Sequence, residues 1–104
     1  CLDPGLQDKD YLNYLDIIFE KIIKVRPDLL VYNAGVDIHE DDELGYLKVS
    51  CNGIMLREKK VVEFASQKGL PLVVTLGGGY QKTVANLAAL HSMIFKEIEA
   101  KFKN

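Results

Sequence analysis

Apolar positions fall into five blocks along the chain, and their spacing differs from block to block in a way that predicts element type. From Tyr11 onward, Leu12, Leu15, Ile18, Phe19, Ile22 and Ile23 recur at three- and four-residue intervals, which is one face of a helix. Asp8 stands where a capping residue is expected, and Asp10 lies in the first turn, where an acid suits the helix dipole. Pro27 ends the segment, because the residue before a proline avoids the helical region. Leu29–Asn33 is apolar on both alternations, which predicts a strand buried on both faces and therefore a central parallel strand. Ala34-Gly35 ends that strand, and Val36-Asp37 sits at its carboxyl end. The polar connection Ile38–Ser50 carries the acid run Glu40, Asp41, Asp42 and Glu43, which reads most simply as a solvated loop.

A second helix is predicted from about Cys51 or Gly53 to Lys68, with Ile54, Val61, Val62, Phe64 and Ala65 as its apolar surface. Gly69 is a left-handed terminator, and Pro71 lies just beyond it. Leu72–Leu76 is a second wholly apolar strand, and it runs directly into Gly77-Gly78-Gly79-Tyr80. A last helix, about Lys82–Lys101, places Val84, Leu87, Ala88, Ile94, Phe95, Ile98 and Phe102 along one side. Strand, helix and strand at this spacing form a βαβ unit with a right-handed crossover. In a parallel pair both strands point the same way, so Asp37 and the Gly77–Tyr80 loop emerge at the same sheet edge. That edge is where open α/β sheets place their ligands.

Two strands of this kind with three helices cannot close a doubly wound sheet, and an exposed apolar edge is something proteins avoid. The first residue is Cys1 rather than Met. Both features lead us to expect residues 1–104 to be the carboxyl-terminal segment of a single domain, with the remainder of the same protein completing the sheet.

Composition narrows the class further. At 104 residues, 48% hydrophobic, 27% charged and net charge −2, the chain is one globular domain at most. The mild negative balance and scattered lysines supply no footprint for direct nucleic-acid binding. No apolar run approaches the roughly 20 residues that cross a bilayer, and the start lacks a secretory pattern, so no membrane partner is expected. Cys1 and Cys51 are far apart and form neither a disulfide framework nor a metal knuckle. Reduced cysteines in the cytoplasm, or the nucleus of a eukaryote, are the simplest expectation.

Several residues carry candidate chemistry. Asp37 has three readings by position: a metal ligand, a phosphate acceptor, or a turn residue bonding local amides. Asp37-Ile38-His39 places a carboxylate and an imidazole one residue apart, yet a catalytic zinc site needs a third protein ligand. His91 lies on the apolar side of the last helix and reads as a satisfied core histidine. The glycine run lacks both the Walker pattern and G-x-G-x-x-G. Three consecutive glycines exceed what a tight turn needs, so a close approach to that backbone is expected. Tyr80, directly after them, could donate a hydrogen bond to a developing oxyanion or simply pack. A non-catalytic α/β binding or regulatory module is the alternative to an enzyme.

Taken together, Pro27-Asp28-Leu29, Tyr32-Asn33-Ala34-Gly35-Val36-Asp37, Asp42-Glu43-Leu44-Gly45 and Gly78-Gly79-Tyr80-Gln81-Lys82 resemble the carboxyl-terminal part of the histone deacetylase superfamily. The wording is most similar to the class IV branch and its bacterial relatives, and Pro4-Gly5, Asp8 and Tyr11-Leu12 match as well. The resemblance covers nearly the whole chain. It implies a fragment of the arginase/deacetylase α/β/α sandwich around a parallel sheet, with zinc as cofactor and an acylated lysine or other acylated amine as substrate. It further implies that Asp37 is a zinc ligand, that Tyr80 hydrogen-bonds the substrate carbonyl and the oxyanion, and that Gly78 and Gly79 line the acyl pocket. His39 has no ligand role by this resemblance. The family's Asp-x-His pair and histidine dyad lie upstream and are not in this chain.

Overall fold

The computed structural model describes residues 1–103, in the order α1 (Asp8–Val25), β1 (Leu30–Asn33), α2 (Cys51–Lys68), β2 (Leu72–Thr75) and α3 (Val84–Phe102). The two strands pair in parallel, with Leu30 opposite Leu72 and Asn33 opposite Thr75. Their common direction brings both following loops to one edge, as the spacing predicts.

Helix α2 is the centre of the packing. It buries Ile54, Arg57, Glu58, Val61, Val62, Phe64 and Ala65, whereas α1 buries no residue completely. Phe19 of α1 stacks on Phe64 of α2 at a centroid distance of 4.2 Å, which fixes α1 against α2. Tyr32, Leu72 and Val74 turn to the helices and pack with Val62, Ile94 and Ile98. A second core, beneath the loops at the carboxyl edge, joins Val36 and Val49 to Ile54 and Leu90.

Burial of the strands on both faces, expected from their uninterrupted apolar runs, is not met within this chain. The opposite face of the sheet leaves Val31 61% and Val73 46% exposed, because α2 and α3 cover one side and α1 lies against α2. Exposed apolar side chains also run along α3 at Val84, Phe95 and Phe102. No helix among the described residues is long and apolar enough to cross a membrane.

Helix ends follow local chemistry, with one departure. Gly69 takes the left-handed conformation expected of it (φ 63°) and closes α2. Asp8, expected as the cap of α1, instead lies inside its first turn, and Gln7 holds the capping position without a side-chain bond. The Asp8 carboxylate is drawn to Ser50, accepting its backbone N–H at 2.7 Å and its hydroxyl. Ser50 caps α2 by accepting the Gly53 N–H at 3.1 Å. An acid in one helix therefore braces the start of another.

Candidate active site

The loop after β1 folds upon itself. The Val36 carbonyl accepts the His39 N–H, the His39 carbonyl accepts the Asp42 N–H, and Glu40 and Val49 pair across the loop at 2.9 Å. Within it lies the acid run, which does not behave as one solvated stretch. Glu40, Asp41 and Glu43 are exposed, but Asp42 is 8% exposed. Its Oδ1 accepts the N–H groups of Leu44 (2.9 Å) and Gly45 (2.8 Å), and its Oδ2 accepts the Tyr80 N–H at 2.8 Å. A buried carboxylate holding three backbone donors is fully satisfied, which removes the usual penalty for burying it. The solvated-loop expectation is thus corrected at Asp42.

The loop after β2 is stitched to the first loop. The Val36 N–H donates to the Gly78 carbonyl at 2.7 Å, and the Glu43 N–H donates to the Tyr80 carbonyl at 3.0 Å. The close approach anticipated at the glycines is made by the chain itself. A Cβ on Gly77 would lie 2.1 Å from Asn33 Oδ1, one on Gly78 2.5 Å from Asp37 Oδ2, and one on Gly79 2.6 Å from Leu87 Cδ1. Gly78 thereby makes room for the Asp37 side chain.

Asp37 is half-buried, and its carboxylate takes part in none of the side-chain hydrogen bonds or ion pairs among the described residues. Tyr80 is 50% exposed, and its phenol is likewise unengaged. Asp37 and the consecutive Gly78, Gly79 and Tyr80, about forty positions later in sequence, thus share the carboxyl edge. His39 does not join them as a ligand. It is buried, its Nδ1 accepts the Asp41 N–H at 3.1 Å, and the same nitrogen lies 3.1 Å from the Gln81 amide nitrogen. His91, expected as a satisfied core histidine, sits beneath Gly79 with its buried Nδ1 lacking a hydrogen-bond partner among the described residues.

Two further residues anchor the first loop from below. Arg57 Nη1 donates to the Gly35 carbonyl at 2.7 Å, two residues before Asp37, and the same guanidinium pairs with Glu58. Tyr32 donates its hydroxyl to the other Glu58 oxygen at 2.7 Å, and the guanidinium lies 5.6 Å from the Tyr32 ring centroid. Burial pushes the Tyr32 hydroxyl far above its usual range, with Arg57 opposing and Glu58 reinforcing. Burial alone would lower Arg57, but Tyr32 and Glu58 outweigh it and hold the guanidinium above its ordinary value. The helical periodicity of α2 did not flag this pair, because both charged residues occupy core positions. Asp42 did carry a signal, since Asp followed three residues later by Gly is a turn pattern in which the carboxylate bonds local amides.

Comparison with known proteins places this geometry. The histone deacetylase domain family matches residues 1–96. The chain is 43% identical over 86 residues to Histone deacetylase 2 of Arabidopsis thaliana, covering 82% of this chain and 22% of that protein. It is 38% identical over 96 residues to an uncharacterized protein of Picosynechococcus sp., covering 91% of this chain and 32% of that one. The crystal structure of acetylpolyamine aminohydrolase from Burkholderia pseudomallei superposes with a TM-score of 0.79 at 22% identity, over 95% of this chain and 27% of that one. The chain therefore has the arginase/deacetylase α/β fold, and it spans about a fifth to a third of the length of these curated relatives.

Proposed function

We propose, on the premise that this chain belongs to the histone deacetylase family, that it forms part of a zinc-dependent hydrolase. The reaction is removal of an acetyl or longer acyl group from an amide nitrogen, with acyl-lysine or another acylated amine as substrate. One contrast carries the reading. Asp42 is saturated by three backbone donors, whereas Asp37, beside Gly78 at the same edge as Tyr80, keeps a carboxylate free of protein partners.

A carboxylate in that state suits a divalent metal as one member of its donor set. Among the described residues no group of three His, Cys, Asp or Glu side chains could hold a metal. The remaining ligands belong to other parts of the polypeptide, whose strands and helices also cover the Val31 and Val73 face. When bound, zinc supplies Lewis-acid polarisation of the amide carbonyl and lowers the pKa of water toward about 7. Tyr80 donates its phenolic hydrogen to the carbonyl oxygen as negative charge develops there, a contribution of roughly 3–4 kcal/mol. Gly78 and Gly79 line the acyl pocket with their backbone, since the space a side chain would take at each is filled by Asp37 and Leu87. Cys1 and Cys51, exposed and unpaired, suit a reducing compartment such as the cytoplasm or nucleus.

The test is Asp37→Asn in the complete polypeptide, assayed on an acetyl-lysine peptide. Loss of deacetylation is expected, and its survival would sink the zinc role. The chain of 104 residues by itself is expected to be inactive and to bind zinc weakly, so tight stoichiometric binding in calorimetry would contradict this reading.

A further inference from the structure

We propose that Asp42 is the positioning residue for Tyr80: its buried carboxylate, together with the Glu43 amide, clamps the Tyr80 backbone from the neighbouring loop and so sets where the phenol points. The inference rests on the role given to Tyr80 above and adds the residue through which that role is set.

The geometry is specific to this one residue. Asp42 Oδ2 accepts the Tyr80 N–H at 2.8 Å, and the Glu43 N–H donates to the Tyr80 carbonyl at 3.0 Å. Both polar groups of the Tyr80 backbone are therefore held by two consecutive residues of another loop. Nothing within its own loop does this. Three glycines precede Tyr80 and are conformationally permissive, and α3 does not begin until Val84. Tyr80 is 50% exposed and its hydroxyl makes no hydrogen bond among the described residues, so the backbone clamp is the main constraint on its direction.

The clamp itself is rigid. Asp42 Oδ1 is committed to the Leu44 and Gly45 amides, and the Asp42 N–H donates to the His39 carbonyl at 3.0 Å. The carboxylate can neither rotate nor withdraw without breaking several bonds at once. Burial separates it from Glu40, Asp41 and Glu43, which are exposed and make no such contacts to the Tyr80 amide. A hydrogen-bond donor aimed at a reacting atom loses most of its effect when displaced by about an ångström, on the order of a hundredfold in rate.

Asp42→Asn keeps an oxygen for Leu44 and Gly45 but turns an NH2 group toward the Tyr80 N–H. In the complete zinc-loaded polypeptide we expect kcat on an acetyl-lysine peptide to fall about tenfold to a hundredfold, with KM within about twofold and zinc content unchanged. Amide hydrogen exchange should accelerate at Tyr80 and Glu43 by about tenfold or more, while Val36, bonded to Gly78 and not to Asp42, stays protected. Combined with Tyr80→Phe, Asp42→Asn should add little further loss, because both act through one hydroxyl. Full additivity, an unchanged kcat, or unchanged exchange at Tyr80 would overturn the proposal. If Tyr80→Phe by itself keeps the wild-type rate, the hydrolase role of Tyr80 falls, and exchange at Tyr80 still decides the clamp. Should Asp42→Asn fail to fold, replacing the Tyr80 N–H by an ester oxygen deletes the same bond without touching Asp42. The same fall in kcat is then expected, and a wild-type kcat would overturn the proposal.

Discussion

The two loops at the carboxyl edge of the sheet start from equivalent positions on parallel strands and are built in opposite ways. The loop after β1 is closed by its own hydrogen bonds, buries Val36, His39, Asp42 and Val49, and is tied to α2 through Arg57. The loop after β2 opens with three consecutive glycines, and what holds it is the first loop: Val36 to Gly78, Glu43 to Tyr80, and Asp42 to Tyr80. One loop is a mould and the other is cast against it. A site divided this way can hold Asp37 in place from one loop while Tyr80, on the other, stays half-exposed.

Three substitutions in the complete polypeptide probe that division, each read by urea unfolding beside zinc content and turnover. The largest effect is expected from Arg57→Met, which unpins the Gly35 carbonyl and leaves Glu58 buried without its cation. Removing one partner of a buried pair destabilises by about 3–5 kcal/mol, and zinc binding should weaken with it. Adding Glu58→Gln should recover part of the stability and not the anchoring of Gly35. Next, Gly78→Ala sets a methyl group 2.5 Å from Asp37 Oδ2. A local loss of about 1–3 kcal/mol is expected from overpacking, falling on zinc affinity and turnover while the unfolding midpoint moves less than for Arg57→Met. Were Gly78→Ala the more destabilising of the two, the second loop would be structural in its own right and the contrast would fail. The smallest is Ser50→Ala, which removes the cap of α2 and an Asp8 contact, for about 1 kcal/mol. Zinc binding and turnover should be unchanged, because that brace lies at the far end of the first loop from Asp37.

Helical periodicity located all three helices, and short uninterrupted apolar runs located both strands, to within about two residues. Parallel direction alone then brought Asp37 and the glycine run to one edge. Other features were not legible because they depend on long-range partners. Asp8 resembles a cap by position, and only the tertiary fold supplies Ser50 as a competing donor. Asp42 carried a local turn signal in Gly45, but its burial and its bond to Tyr80, nearly forty positions later, could not be read from one acid among three others. The strands read as buried on both faces, a property that this chain realises on one face only. Arg57 and Glu58 broke the apolar pattern of α2 at positions that the fold nevertheless buries.

The most direct test compares zinc content and acetyl-lysine turnover in the complete polypeptide for wild type, Tyr80→Phe and Asp37→Asn. The account predicts stoichiometric zinc and turnover in the wild type, retained zinc with turnover reduced by about a hundredfold or more in Tyr80→Phe, and loss of both in Asp37→Asn. An Asp37→Asn protein that keeps stoichiometric zinc and wild-type turnover would contradict it.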